Sequence, residues 1–179
     1  MSKAVQIFTT CDYANASVRA VLGYVGHGEN NPRAAALVVV QSIGAPRWNT
    51  PTGERPSQAT ADRMVDKLGV TPSIFRPVVL RIRRVYRGAF DSDAITAFAE
   101  SGTIGEDEIS SCAFGSPSTL RIRETSSVVT VGSEYIALLI GNELTGRNQG
   151  PLEMPIIADL LEVHGDRVLG YAGTSEPLP

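Results

Sequence analysis

The segment that most constrains the fold runs from Val78 to Gly88 and reads V-V-L-R-I-R-R-V-Y-R-G. Apolar and charged residues alternate along it, and the pattern is typical of a half-buried β-strand followed by a turn. Leu80 and Ile82 share one face of this strand, while Arg81 and Arg83 share the other. Most of the later chain also has strand patterns, so the sequence predicts a mainly β domain organised around this segment.

The alternation fails at one point of the segment. A strict period of two would place Arg84 on the apolar face and Val85 on the polar face. One extra residue at Arg83-Arg84, a β-bulge, would restore Val85 to the apolar face because it resets the alternation. The sequence therefore predicts a bulge at Arg83-Arg84.

A second arginine pair occurs where the letters L-R-I-R recur, at Leu120 to Arg123. If the two segments are neighbouring strands, four guanidinium groups share one outer face. These belong to Arg81, Arg83, Arg121 and Arg123. They are either solvated strand positions, where arginine is common, or a basic surface for an acidic partner. In the first case Glu124, Glu134 and Asp93 are the candidate carboxylates to neutralise them.

The remaining elements follow from local pattern. Residues 1–33 form an N-terminal extension with a short helix, residues 34–172 form the β domain with an insertion at 45–75, and residues 173–179 form a flexible tail. Ser57 is the predicted N-cap of an amphipathic helix to Leu68, which Gly69 ends. Ser101–Ser111 is predicted to be an exposed loop. The predicted strands are Ala34–Gly44, Ala94–Ala99, Leu120–Glu124, Val128–Val131, Glu134–Ile140, and a hairpin of Ile156–Val163 with Arg167–Tyr171.

The loop Ala45–Pro56 contains the only tryptophan, Trp48, followed by Asn49. A lone tryptophan in a polar loop either packs the loop onto the body or serves as an exposed recognition anchor. Both readings stay open, and we include Trp48 and Asn49 in the candidate interaction surface.

Charge and hydropathy exclude several classes of protein. The formal net charge of −3 argues against general nucleic-acid binding. No apolar run is long enough to span a bilayer. The first residues lack a signal-peptide pattern, so we expect a cytoplasmic protein, or a secreted or periplasmic one if a leader was removed. The oligomeric state stays open.

Motifs for catalysis are absent, including the nucleophile elbow, the phosphate-binding loop and the zinc-binding helix motif. We therefore predict no catalytic residue, no metal and no cofactor, although a hydrolase built from carboxylates such as those of 106–108 would be invisible in sequence. Cys11 and Cys112 lie outside any C-x-x-C pair. They are either small buried residues in a reducing compartment or a bridge in an oxidising one.

Six sequence features occur in a set order along the chain. Cys11 precedes an A-A-L-V-V-V strand, and L-R-I-R-R-V-Y-R-G follows it. Cys112, within S-S-C-A-F-G, precedes G-S-E-Y-I-A-L-L, and the hairpin E-V-H-G-D-R-V closes the pattern. In this order they resemble the netrin-like superfamily, the fold of the tissue inhibitors of metalloproteinases, over residues 11–172.

The resemblance implies an OB-like β-barrel, closed or partly open, with one or two short helices and a disulfide between Cys11 and Cys112. The animal inhibitors begin with a C-x-C motif that binds the protease zinc. Here Cys11 is internal and no C-x-C occurs, so protease inhibition by that route is not supported.

What remains is a non-catalytic binding or structural module that acts through protein–protein contacts, with an acidic partner if the arginines are used. The alternative is an OB-type domain that binds oligonucleotides or oligosaccharides. That alternative requires exposed aromatic rings beside the arginines, and Tyr86, Phe98 and Tyr135 are the candidates.

Overall fold

A computed structural model describes residues 6–7, 17–26, 32–115, 118–140, 155–170 and 174–179. Within these residues the protein is mainly β with two short helices, which confirms the predicted fold class. The elements are β1 (Gln6–Ile7), α1 (Val18–Tyr24), β2 (Ala34–Ile43), β3 (Arg47–Trp48), α2 (Gln58–Leu68), β4 (Ile74–Arg87), β5 (Ala94–Glu100), β6 (Gly102–Ile104), β7 (Asp107–Ile109), β8 (Glu134–Ile140), β9 (Ile156–His164), β10 (Arg167–Leu169) and β11 (Ser175–Pro177).

Five strands form a hydrogen-bonded ring in the order β2, β4, β5, β9, β8 and back to β2. Four of the five junctions are antiparallel. The fifth, between β5 and β9, is parallel and consists of the single pair Phe98 and Ile156. Because this junction is so short, the ring closes without forming a regular barrel.

The main core lies inside the ring. Inward-facing residues of β2, β4 and β8, such as Val38, Leu80 and Ala137, are fully buried there. The segment between β7 and β8 contributes Phe114 and Ile122 to the same core. This segment therefore packs into the ring as an irregular connection.

A second core lies outside the ring, beneath α1. Val18 and Val21 of the helix pack in one cluster with Ile136 and Leu138 of β8, and with Leu161 of β9. Strand β8 is therefore covered on both faces, which is why its sequence is a continuous apolar run. Neither α1 nor any other helix among the described residues is long and apolar enough to cross a membrane.

The predicted bulge in β4 is present. Arg84 pairs with Leu37 and Ile82 pairs with Val38, so that Arg83 is the extra residue. Val85 pairs with Ala36, whose side chain belongs to the inner core, so the bulge restores Val85 to the apolar face as predicted. Val85 is nevertheless 44% exposed.

Helix α2 also forms as predicted. The Ser57 side chain accepts a hydrogen bond from the backbone of Thr60, and Gly69 ends the helix with a left-handed φ of 63°. This backbone conformation favours glycine because it has no Cβ to clash with the following carbonyl.

Three predictions about the chain's course are wrong. Leu120–Glu124 and Val128–Val131 form only isolated bridges, since a turn at 123–125 interrupts any ladder. Ser101–Ser111 is the β6–β7 hairpin, with Ser101 and Ile109 fully buried.

The described part of the tail, residues 174–179, contacts the body of the protein. Strand β11 pairs antiparallel with β10. The Glu176 carboxylate accepts a hydrogen bond of 2.8 Å from the backbone of Val18, at the start of α1. The tail is therefore joined to the body at 174–179.

Candidate binding surface

Two of the candidate residues, Arg81 and Arg83, lie on β4, on the outer surface of the ring. In an antiparallel pair, directly opposed residues place their side chains on the same face. Arg81 is opposed by Val39 on β2 and by Ala94 on β5. Val38 and its neighbour Val40 face the inner core, so Val39 and Arg81 point outward. We call this surface the outer face of β4.

The bulge adds a further arginine to this face. Arg84 is opposed by Leu37, which packs in the outer cluster beneath α1. The side chain of Arg84 therefore shares the outer side of the ring with Arg81 and Arg83, and all three are exposed. We call Arg81, Arg83 and Arg84 the arginine strip. Arg84 was not among the predicted site residues, although its outward position follows from the predicted bulge.

The guanidinium groups of Arg81 and Arg83 are without a partner among the described residues. Within the described residues, neither makes a hydrogen bond or an ion pair. The candidate carboxylates of Asp93 and Glu134 do not neutralise them. The two guanidinium groups are therefore available to a ligand or to solvent.

Arg84 is held differently. Its guanidinium lies 5.3 Å from the centroid of the Tyr86 ring, a cation–π arrangement. Its Nη1 donates a hydrogen bond of 3.1 Å to the carbonyl oxygen of Pro179. Burial raises the pKa of the Tyr86 hydroxyl, while the charge of Arg84 lowers it and that of Glu134 raises it further.

Apolar side chains on this face are only half covered. Val79 is opposed by Ser42 and Thr96 on the same outer side, and it is half-buried, as is Val39. The arginines thus rise from a surface of small apolar and hydroxyl side chains. A surface of this composition suits a protein contact, in which arginine is enriched.

The structure does not bring Arg121 and Arg123 to this face. The strands that pair with β4 are β2, β3 and β5, so the segment 120–123 is not its neighbour. Arg123 donates to the carbonyl oxygen of Ser111 at 2.8 and 2.9 Å, and Arg121 donates to that of Ser126. In this irregular connection, where no sheet ladder pairs the backbone carbonyls, the two arginine side chains supply hydrogen bonds to them. The prediction that all four arginines share one face is therefore wrong.

Trp48 and Asn49 are also excluded from any contact surface. They are 2% and 1% exposed. Trp48 packs with Ile74 and Ile109, so it anchors the loop onto the body. The Asn49 amide donates to the carbonyl of Thr71 and its oxygen accepts from the backbone of Ser73. The hydrogen-bonding capacity of Asn49 is therefore used to join two loop segments.

Cys112 forms a disulfide bond. Cys11 lies outside the described residues, so its pairing with Cys112 stays a prediction. The bonded cysteine directly precedes Ala113 and Phe114, which are buried in the core of the ring. A bridge at this position would attach the irregular connection of the core to another part of the chain.

The aromatic residues required for nucleic-acid or saccharide stacking are not exposed. Tyr135 is 2% and Phe98 6% exposed, and Tyr86 is half-buried. None of the other aromatic side chains that the structure describes is exposed either. This surface therefore lacks the stacking platform on which such ligands depend.

Of the predicted carboxylates of 106–108, Asp107 and Glu108 do not form an acid–base pair. Asp107 is buried, with its Oδ1 3.2 Å from a guanidinium nitrogen of Arg55, whereas Glu108 is exposed. Adjacent residues of a strand point to opposite faces, which separates these two carboxyl groups. Among the described residues no group of three or more histidine, cysteine or acidic side chains is placed to hold a metal ion.

The carboxyl group of Glu100, at the end of β5, has a shifted pKa. Burial raises its pKa, and a hydrogen bond of 2.5 Å from the Ser73 hydroxyl opposes part of this rise. The partner of Glu100 in this hydrogen bond, Ser73, also donates its backbone N–H to the side-chain oxygen of Asn49. Glu100 is accordingly part of the packing of this loop.

Comparison of the chain with protein-family models, with curated proteins and with solved structures finds no match.

Proposed function

We propose that this protein is a non-catalytic binding module that acts through protein–protein contacts, and that the outer face of β4 is its contact surface. The observation that carries the proposal is the state of Arg81 and Arg83. Both are exposed, and neither has a partner among the described residues. They stand beside half-buried Val39 and Val79, which adds apolar area to the charged groups.

The order of the ring supports an OB-like relationship. Counted along the chain, its strands β2, β4, β5, β8 and β9 are the first to the fifth, and they pair in the order 1-2-3-5-4-1. The third and fifth strands pair in parallel, and the first and fourth pair antiparallel. OB-folds are five-stranded Greek-key barrels that bind ligands on the face of strands 2 and 3. In this chain those strands are β4 and β5, which contribute to the proposed contact surface.

A netrin-like relationship within the OB-like class has two supports. The order of the sequence motifs supports it, and so does the disulfide at Cys112. A protein partner is favoured over a nucleic acid because no described aromatic side chain is exposed on the surface and because the net charge is −3.

The test is differential affinity capture. The double variant Arg81→Gln/Arg83→Gln is compared with the wild type and with Arg63→Gln/Lys67→Gln, which removes the same charge from exposed positions of α2. We expect a protein from an extract of the source cells to be retained by the wild type and the α2 variant and lost by the β4 variant. Equal retention by all three proteins would contradict the proposal.

A further inference from the structure

We infer that the outer face of β4 recognises an extended acidic segment of its partner through the guanidinium groups of the arginine strip. The inference rests on the proposed function and specifies its ligand chemistry. It follows from the charge of β4, from the bulge, from the spacing of the arginines and from a contact within the chain itself.

The charge of β4 is opposite to that of the whole chain. The strand contains no aspartate or glutamate, while the chain has a net charge of −3. Its basic residues are Arg76, Arg81, Arg83, Arg84 and Arg87. Strong local charge of one sign attracts ligands of the other sign and repels like ones. The outer face of β4 is therefore complementary to carboxylates.

The bulge concentrates this charge. Without the bulge, the full sequence would alternate regularly and Arg84 would turn toward the inner core. With it, three guanidinium groups within four residues lie on the outer side of the ring. Bulges re-aim side chains in this way and are frequent beside binding sites.

The spacing of Arg81 and Arg83 suits an extended chain. Residues two apart on a strand are separated by about 6.6 Å. Carboxylates at alternate positions of an extended peptide are also about 6.6 Å apart, and the long arginine side chains can adjust to the local change of spacing that the bulge at Arg83 makes. Arginine also matches the planar carboxylate with two parallel hydrogen bonds, which lysine cannot do.

The chain itself supplies an example of such a contact. Strand β11 is extended, and two residues beyond it the carbonyl oxygen of Pro179 accepts a hydrogen bond from Arg84. The guanidinium of Arg84 is kept in place by the Tyr86 ring. An oxygen presented by an extended segment can therefore reach the strip, and Arg81 and Arg83 remain available beside it.

Recognition through side chains is favoured over addition of a strand. Strand β5 pairs with β4 only as far as Arg81, so among the described strands none covers that side of β4 from Arg83 to Arg87. However, register shifts occur at Arg83 and at Tyr86. Bulges disturb the regular spacing that a new strand would need, and together with charged side chains they protect open edges from pairing.

The test uses a synthetic peptide of alternating glutamate and threonine, with a glutamine–threonine peptide as its control. We expect the glutamate peptide to bind the wild type and to bind more weakly as salt is raised, because the charges are exposed and screened. Arg81→Gln/Arg83→Gln should weaken binding about tenfold. Arg63→Gln/Lys67→Gln should leave it unchanged.

A charge exchange makes the test sharper. Arg81→Glu/Arg83→Glu should lose the glutamate peptide and gain binding to a lysine–threonine peptide. The inference is overturned if the glutamate and glutamine peptides bind equally, or if a sulfated oligosaccharide binds where the glutamate peptide does not. It is also overturned if the arginine variants bind the peptide normally and only self-associate, as expected of side chains that merely protect a strand edge.

The two proposals fail in different ways. If capture of the cellular partner depends on Arg81 and Arg83 but the glutamate peptide does not bind, the acidic ligand is wrong and the contact surface stands. If the peptide binds but no captured protein depends on these arginines, the proposed function is wrong.

Discussion

Asn49 shows how a polar residue in a proline-containing loop can be entirely structural. Its side chain bonds to the carbonyl of Thr71 at 3.0 Å and to the backbone N–H of Ser73 at 2.8 Å. Asn49→Ala would remove both bonds and leave the buried backbone N–H of Ser73 without this partner, a loss that costs about 1–3 kcal/mol, whereas water can replace the amide at the exposed Thr71. We expect the free energy of unfolding in denaturant to fall by about 1–3 kcal/mol. Thr52→Ala, at an exposed position of the same loop, is the control and should change little.

Glu100 makes stability depend on pH. Because burial raises its pKa in the folded state, that state holds the proton more tightly than the unfolded chain does. Its contribution to stability is fully present below the unfolded pKa and is lost as pH rises through the folded pKa. Glu100→Gln stays neutral at all pH values and can still accept the hydrogen bond from Ser73.

We therefore expect Glu100→Gln to be more stable than the wild type at neutral pH and similar to it near pH ~4. Denaturant unfolding at several pH values measures the difference. Glu106→Gln, in the exposed turn of the β6–β7 hairpin, should follow the wild type throughout. A parallel pH dependence in Glu100→Gln and the wild type would contradict the assignment.

At the scale of elements, the bulge of β4 predicts different effects on stability for two single-arginine deletions. Deleting Arg83 leaves Ile82 inward, Arg84 outward and Val85 inward, so the alternation survives without the bulge. Deleting Arg81 instead, with the bulge lost in the same way, turns Ile82 outward and the charged Arg83 toward the inner core. We expect the first deletion to cost less than about 2 kcal/mol and the second to prevent folding. Denaturant unfolding and circular dichroism distinguish the two, and equal loss of structure in both would refute this account of the bulge.

Elements whose causes are local were predictable from sequence. Ser57 and Gly69 bound α2 because capping needs only neighbouring residues, and β2 and β8 follow from continuous apolar runs. The segments 120–124 and 128–131 were predicted to be strands, the first because Leu120 and Ile122 alternate with arginines as strand residues do. There the apolar residues reach the core individually, and Arg123 bonds a neighbouring carbonyl instead of lining a sheet.

At the scale of the whole molecule, closure of the ring depends on contacts that no local pattern contains. The single pair of Phe98 with Ile156 joins β5 to β9. The candidate surface was predictable only in part for the same reason. Arg81 and Arg83 share a face by alternation alone, whereas the placement of Arg121 and Arg123 depends on which strands become neighbours. Burial of Trp48 likewise depends on Ile109, which is distant in sequence.

The disulfide of Cys112 has consequences for the whole chain. The partner predicted from the netrin-like resemblance is Cys11, about a hundred residues away, and it is the only other cysteine of the chain. In the chain-entropy model, a bridge that closes a loop of this length stabilises the folded state by about 4–5 kcal/mol, because it restricts the unfolded chain. It would also tether the connection that carries Phe114 into the core of the ring.

We therefore expect reduction to lower the free energy of unfolding by about 4–5 kcal/mol. Cys112→Ser should show the same loss and no further response to reductant. Intact-mass measurement of the oxidised wild type should give a monomer lighter than the reduced form by the two hydrogen atoms that disulfide formation removes. A disulfide-linked dimer would mean that Cys112 pairs between two copies of the chain. An unchanged mass would mean that no bridge forms. Either result would contradict the Cys11–Cys112 pairing, which is one of the two supports for the netrin-like relationship.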